Sequence, residues 1–404
     1  MRRPASRLAG LLLAALLAGC TAAPPPPSGS PPTPPTPSAT ASRPSPTTAP
    51  SSPPPTTPTA PPEPSCRAEA EALPLAERAG QLVMVGVTGS LDATERRAIT
   101  GSHLGAVILM GGSGRGVKRT AALTDSLAGL ADGPGLLIAA DQEGGLVQRL
   151  TGPGFNTIPA AADQAELSTA QLTRRATEWG EQLARAGVQL NLAPVADVVP
   201  KANAGRNQPI AELRRGYGSD PERVSARVEA FIAGMREGGV GAAVKHFPGL
   251  GAVTGNTDFA AKVVDSTTTA DSGLLLPFRE AVDDRVDAVM VSSAIYRKID
   301  PKRIASFSPA VIGLLRDWGY HQVVISDDLG AARAVRGVPA KQRAVRFVAA
   351  GGDLAISVEP KAAVAMAKGL VAEARKDDAF AARLTEAAAR VLTLKRAHGL
   401  ASCR

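Results

Sequence analysis

From residue 81 to residue 357 the chain repeats one arrangement eight times, a short continuous apolar run followed by a longer amphipathic stretch. The runs are 81 to 87, 105 to 111, 135 to 140, 188 to 194, 241 to 246, 287 to 292, 322 to 326 and 353 to 357. They are continuous rather than alternating, so each reads as a strand buried on both faces, as parallel strands covered by helices are. Helical patterns lie between them, as at 171 to 187, 220 to 238, 308 to 318 and 362 to 375. Asp220-Pro221 and Ser308-Pro309 fit a capping side chain followed by proline at the first helical position. Eight such units predict an α/β fold, a (β/α)8 barrel of the TIM type closed by a helix near 380 to 397. The alternative is an open, doubly wound sheet. It calls for a phosphate-cradling glycine loop after the first strand, and Gly86-Val87-Thr88-Gly89 is not one.

Outside the repeat the composition changes abruptly. Arg2, Arg3 and Arg7 precede an apolar stretch that ends in Leu17-Ala18-Gly19-Cys20. This pattern, at 1 to 20, is that of an export signal with a lipobox, and it makes Cys20 the expected lipidation site. The apolar run is about half of the ~20 residues a membrane span needs. Residues 21 to 65 hold 19 prolines and no aromatic residue, too few apolar groups to offset the entropy of packing. They are expected to be a disordered tether, reaching up to roughly 140 Å at about 3.1 Å per residue. The folded domain is then 66 to 404. It is expected to be exported, anchored to the membrane through Cys20, facing the cell wall, and monomeric.

The formal net charge is +8, and without the three signal arginines +5, with no dense basic run. This argues against nucleic-acid binding. With Cys20 assigned to lipid, Cys66 and Cys403 remain at opposite ends of the domain, and an exported protein can join them in a disulfide if those ends meet. Four scattered histidines (His103, His246, His321 and His398) and no paired cysteines speak against a metal site, and no cofactor is expected.

In a barrel the active site sits at the C-terminal ends of the strands. The third run ends in Asp141-Gln142-Glu143-Gly144-Gly145, with Gln148-Arg149 after it; the fifth in Lys245-His246-Phe247-Pro248-Gly249; the seventh in Ser326-Asp327-Asp328. Charges at a barrel mouth are partly desolvated, so three strands delivering them to one rim points to a functional site.

These motifs, in this order, resemble those of the β-N-acetylglucosaminidases of glycoside hydrolase family 3, over essentially all of 70 to 400. The resemblance implies that Asp327 is a catalytic nucleophile and that Asp141, Arg149, Lys245 and His246 bind sugar hydroxyls. Arg215 corresponds best to a further sugar-binding arginine, with Arg206 and Arg214 close by. It also implies a retaining, exo-acting hydrolysis of terminal β-linked N-acetylglucosamine, with amino-sugar glycosides or muropeptides as substrates. In such a mechanism one carboxylate stays ionised about 5 to 5.5 Å from an acid. A cation such as Lys245 or Arg149 is expected to hold the pKa of Asp327 low.

The chain departs from the family where the acid should be. The family has an Asp-Ser-His trio after Lys-His-Phe-Pro-Gly; here the loop reads Gly249-Leu250-Gly251-Ala252-Val253-Thr254-Gly255-Asn256-Thr257-Asp258. Asp258 stands at the catalytic histidine and becomes the candidate acid/base. Asn256 stands at its supporting aspartate and is expected to hydrogen-bond it. Gly249, Gly251 and Gly255 suggest a mobile loop. Ser292-Ser293 replaces a histidine of many relatives, and Leu146 an arginine. An anionic Asp258 repels phosphate by ~1 to 4 kcal/mol at 4 Å, which favours water as acceptor. Two other readings stay open, a sugar-binding lipoprotein with impaired catalysis and a β-N-acetylglucosaminide phosphorylase.

Overall fold

The structure, a computed structural model, describes residues 66 to 111 and 114 to 403. Cys20, the export segment and the proline-rich stretch lie outside the described residues. Eight parallel strands form a closed barrel: β1 Val83–Val87, β2 Ala106–Leu109, β3 Leu137–Ala140, β4 Leu190–Asn191, β5 Gly241–Phe247, β6 Ala288–Val291, β7 Val323–Asp328 and β8 Leu354–Ser357. They follow one another around the barrel in chain order, and β1 closes it by pairing with both β2 (Val85 opposite Val107) and β8 (Val83 opposite Ala355). Every apolar run therefore supplies one strand. The fourth run supplies the least, because Pro194 has no N–H to give and only its carbonyl joins the ladder, accepting from Lys245 at 3.1 Å.

The continuous runs have the expected cause. Val83, Val85 and Val87 face the outer core under the helices, whereas Met84 between them faces the barrel interior with Ile108, Leu137, Leu190, Met290 and Ile325. Both sides of the strand are dry, so neither position tolerates a polar residue. The expected caps form as well: the Asp220 side chain accepts from the N–H of Glu222 at 3.0 Å, and Ser308 accepts from Val311 at 3.2 Å. On the outside of β5 the Phe247 ring packs edge-on to Phe278 and Trp318, with centroids 5.5 and 5.6 Å away. Those contacts fix the strand that carries Lys245 and His246.

The helix Asp378–Ala397 closes the floor, the face at which the strands begin, sending Val391 and Leu394 into the interior cluster. Asp353, just before β8, is fully buried there. Its carboxylate accepts from Arg316 and Arg383 at 2.7 Å, from Arg390 at 3.2 Å and from the Val324 N–H at 2.9 Å. Burial alone would raise its pKa, but the three guanidiniums outweigh it and hold the carboxyl low. Cys66 and Cys403 meet on the same face, joined by a disulfide with Cα atoms 5.1 Å apart, and the Cys66 N–H donates to Thr393 at 3.3 Å.

Candidate active site

At the opposite face, where the strands end, a cavity of about 570 Å³ opens among the loops. Its inner wall is a charge cluster. Lys245, only 2 % exposed at the end of β5, places Nζ 2.6 Å from Asp141 Oδ1 after β3 and 2.6 Å from Glu143 Oε1. Arg215, from the loop after β4, grips Glu143 with two bonds, Nε to Oε2 at 2.9 Å and Nη2 to Oε1 at 2.8 Å. Burial works against the charges of Glu143, Arg215 and Lys245, yet the opposite charges win. Glu143 is held far below the usual carboxylate range by Arg215 and Lys245, while Lys245 is raised by Asp141 and Glu143. These groups stay ionised, with oxygens and N–H groups fixed in place on the wall.

His246 joins the cluster from the other side. Its Nδ1 lies 2.7 Å from Asp197 Oδ2 and its Nε2 lies 3.3 Å from Arg215 Nη2. A guanidinium can only donate, so in the tautomer whose Nδ1 donates to Asp197, Nε2 is left to accept from Arg215. Asp197 is fully buried, and its Oδ1 also accepts from the N–H groups of His246 and Leu250 at 3.1 and 2.8 Å. It thus holds both the histidine and the start of the following loop.

Asp327 stands at the end of β7, half-buried on the cavity wall. The next residue explains its posture. The Asp328 carboxylate accepts from the N–H groups of Gly330 and Ala331 at 2.8 Å and of Val358 at 3.0 Å, while its own N–H donates to Asp327 Oδ1 at 2.8 Å. Asp328 builds the turn and leaves Asp327 to the cavity. The expected low pKa of Asp327 is overturned. Lys245 is committed to Asp141 and Glu143, so burial outweighs the opposing pull of His246 and of the Asp328 N–H, and the carboxyl is raised. In the same cavity, Asp258 keeps much of its surface, yet loss of hydration and the charge of Asp327 push its carboxyl up to about 6.

The loop that carries Asp258 also differs from expectation. Asn256 does not support the Asp258 carboxyl; its amide oxygen accepts from the Asp258 backbone N–H at 2.9 Å, the bond of an Asx turn. Nor is Gly251 there for mobility. A Cβ on it would lie 1.8 Å from the Val198 carbonyl oxygen, so only glycine lets the two backbones pass. The buried Asn207 pins the same segment through bonds to the Leu250 and Val253 carbonyls at 2.7 and 2.8 Å. Further along, the carbonyls of Thr257 and Asp258 accept from the N–H groups of Ala334 and Arg333, both at 3.2 Å, which ties the loop to the turn after β7.

Asp141, Lys245, His246, Arg215, Arg149, Asn256, Asp258 and Asp327 all line this one cavity. Arg149 donates its backbone N–H to Asp141 at 3.1 Å, and its buried Nε has no protein partner. Arg214 turns outward to Asp163, in left-handed backbone at φ 57°, and Arg206 is exposed. Leu146 is 75 % exposed, and Ser292 is taken up by Tyr296, whose hydroxyl donates to the Gly249 carbonyl at 2.8 Å. Sequence reasoning missed Asp197 and the roles of Glu143 and Asp328. Asp197 follows the shortest strand, yet it ends an apolar run as the others do, and that was the available signal.

Residues 74 to 394 match the glycosyl hydrolase family 3 N-terminal domain. The beta-hexosaminidase of Alkalilimnicola ehrlichii is 35 % identical over 285 residues, covering 68 % of this chain and 79 % of that protein. The beta-hexosaminidase LpqI of Mycobacterium tuberculosis is 31 % identical over 327 residues, 79 % of this chain and 82 % of its own. Among solved structures, the β-N-acetylhexosaminidase of Beutenbergia cavernae superposes with a TM-score of 0.79 at 44 % identity, covering 80 % of this chain and 99 % of that one. With the barrel, the rim of charges and the match over most of its length, this chain is a glycoside hydrolase and belongs to glycosyl hydrolase family 3.

Proposed function

We propose that the enzyme is a retaining, exo-acting β-N-acetylhexosaminidase that removes terminal β-linked N-acetylglucosamine from cell-wall fragments. The observation that carries this reading is the pair of carboxyls lining one cavity, Asp327 with no ion pair among the described residues and Asp258 holding its proton up to about pH 6. In the first step an Asp327 oxygen attacks C1 of the sugar, the C1–O bond breaks, and Asp258 gives its proton to the departing oxygen. In the second, water attacks C1, Asp258 takes a proton from it, and the Asp327 carboxylate leaves. Asp141, Lys245, His246, Arg215 and Arg149 hold the sugar hydroxyls, so remote contacts stabilise the distorted ring at the transition state. The ionised cluster closes the inner end of the cavity, which favours a chain end over a chain interior.

The names of the relatives support the amino sugar, and an export segment with Cys20 at its end supports a lipid-anchored enzyme at the wall. The reading is tested with an aryl β-N-acetylglucosaminide. Release of the sugar as its β-anomer, seen by NMR in the first minutes, is the expected result. No release by the wild-type enzyme sinks the proposal. Sugar 1-phosphate as the product in phosphate buffer replaces water with phosphate as the acceptor.

A further inference from the structure

Lys245 and Arg215 at the mouth are held by carboxylates; the cations on one flank of the barrel are not. Ten basic and four acidic residues lie between 297 and 346, a net charge of +6, whereas the whole of 66 to 404 carries +5. The positive excess of the domain therefore sits in that one span. In the sequence it is too dispersed to form a run, and the fold gathers it. Arg297, Lys298, Lys302 and Arg303 stand exposed on the loop after β6, and Arg333, Arg336, Lys341 and Arg346 stand exposed after β7. β6 and β7 are neighbours in the barrel, and the short turn Ala305–Phe307 packs on the helix Ala340–Ala349, which brings the two sets onto one flank.

Acidic groups do not balance them. The one exposed carboxylate in the span is Asp317, at the C-terminal end of the helix Pro309–Asp317. Asp300 is buried in the turn that presents Lys302 and Arg303, where it accepts from their N–H groups at 3.0 and 3.3 Å and from the Ser308 hydroxyl at 2.7 Å. Of the eight cations only Arg303 makes an ion pair among the described residues, to Asp300 at 3.3 Å. Lys302, Arg303 and Arg346 border a groove of about 460 Å³ that no carboxylate lines, and its floor is apolar, with Ile304, Val338 and a buried Phe307. The cavity at the floor of the barrel differs, since Asp287 and Glu386 stand among its arginines.

We propose that this flank is a docking surface for a linear polymer of phosphodiesters joined by small polyols. Guanidiniums grip diester oxygens through paired N–H bonds, lysines add point charge, and weak contacts in series act together. A single small anion would leave most of the eight cations unanswered, so the ligand carries its charges in series. The exposed large hydrophobics among the described residues are Leu146 and Phe259, and neither lines the groove, so a nucleobase or a pyranose ring finds no aromatic platform there. A thin chain without rings needs none, and it enters a concave groove that a flat lipid surface does not. Arg336 also lines the mouth cavity, so the surface runs up to the site, while Cys66 and Cys403 meet on the opposite face. The docking is independent of the roles given to Asp327 and Asp258.

The test follows labelled poly(glycerol phosphate) on the full enzyme by fluorescence anisotropy. Binding is expected, weakening by about 10²-fold between roughly 50 and 200 mM salt. The variant Lys302→Gln/Arg303→Gln/Arg346→Gln binds about 30-fold more weakly at the lower salt and depends less steeply on it. Lys118→Gln/Arg119→Gln/Arg174→Gln removes the same charge from exposed positions on the helices after β2 and β3, and changes binding by less than about threefold. Arg346→Gln alone, which breaks no ion pair, costs about threefold and reads the same surface if the triple variant does not fold. Equal losses in the two triple variants reduce the effect to net charge and overturn the site. Displacement of the polymer by inorganic phosphate at equal phosphate concentration overturns it too, as does binding to phosphatidylglycerol vesicles with none to the polymer.

Discussion

At the floor of the barrel Asp353 meets three guanidiniums; at the mouth Asp327 and Asp258 share one cavity with no ion pair to either among the described residues. Both ends bury charge, and cavity size does not separate them, since a cavity of about 600 Å³ lies at the floor and one of about 570 Å³ at the mouth. What separates them is whether the charge is answered. The floor carboxylate is surrounded and its pKa is lowered, whereas the two mouth carboxyls are raised. Answered charge is architecture. Charge left unanswered on a cavity wall is held for a ligand, at some cost to the fold.

The sharpest way to break this comparison is Asp327→Ala. Loss of the nucleophile lowers kcat by roughly 10⁴-fold or more, while the melting temperature stays level or rises. Next is Asp258→Ala, for which a loss of about 10² to 10⁴-fold is expected with poor leaving groups. That loss shrinks with activated aryl leaving groups, and azide restores part of it as the β-glycosyl azide. The floor gives the reverse result: Asp353→Ala takes from three guanidiniums the carboxylate they share and lowers unfolding free energy in urea by about 3 to 5 kcal/mol, with kcat per folded molecule unchanged. Asp353→Ala with full stability would dissolve the distinction.

Smaller effects follow the protons. With Asp258 as the proposed acid, kcat/KM is expected to decline above about pH 6, and this alkaline limb to disappear in Asp258→Ala. Since the pKa of Asp258 rises from 3.8 to about 6 on folding, its stabilising contribution is complete below 3.8 and is lost as pH climbs through 6. Asp258→Asn is therefore expected to melt slightly higher than the wild type at pH 7, and not at pH 4.

Much of this could be read in one dimension. Eight continuous apolar runs specify a parallel barrel because each strand must be dry on two sides, and the residue after each run falls at the mouth by topology. That reasoning found Asp141, Lys245, His246 and Asp327. It did not find the partnerships. Lys245 and Glu143 are 102 positions apart, and only the angular order of the strands brings them together. The expectation for the pKa of Asp327 failed for the same reason, since Lys245 was spent elsewhere. Gly251 and Asn256 misled because a glycine needed for close backbone passage and a glycine needed for motion are the same letter, as are an amide that supports a carboxyl and one that closes a turn.

The disulfide at the floor has a mechanical consequence. Residues 66 and 403 lie side by side, on the face opposite the mouth. A pull applied at residue 66 passes across that bond and into the helix Asp378–Ala397. The strand ends and loops that line the mouth lie at the opposite end of the barrel from that bond.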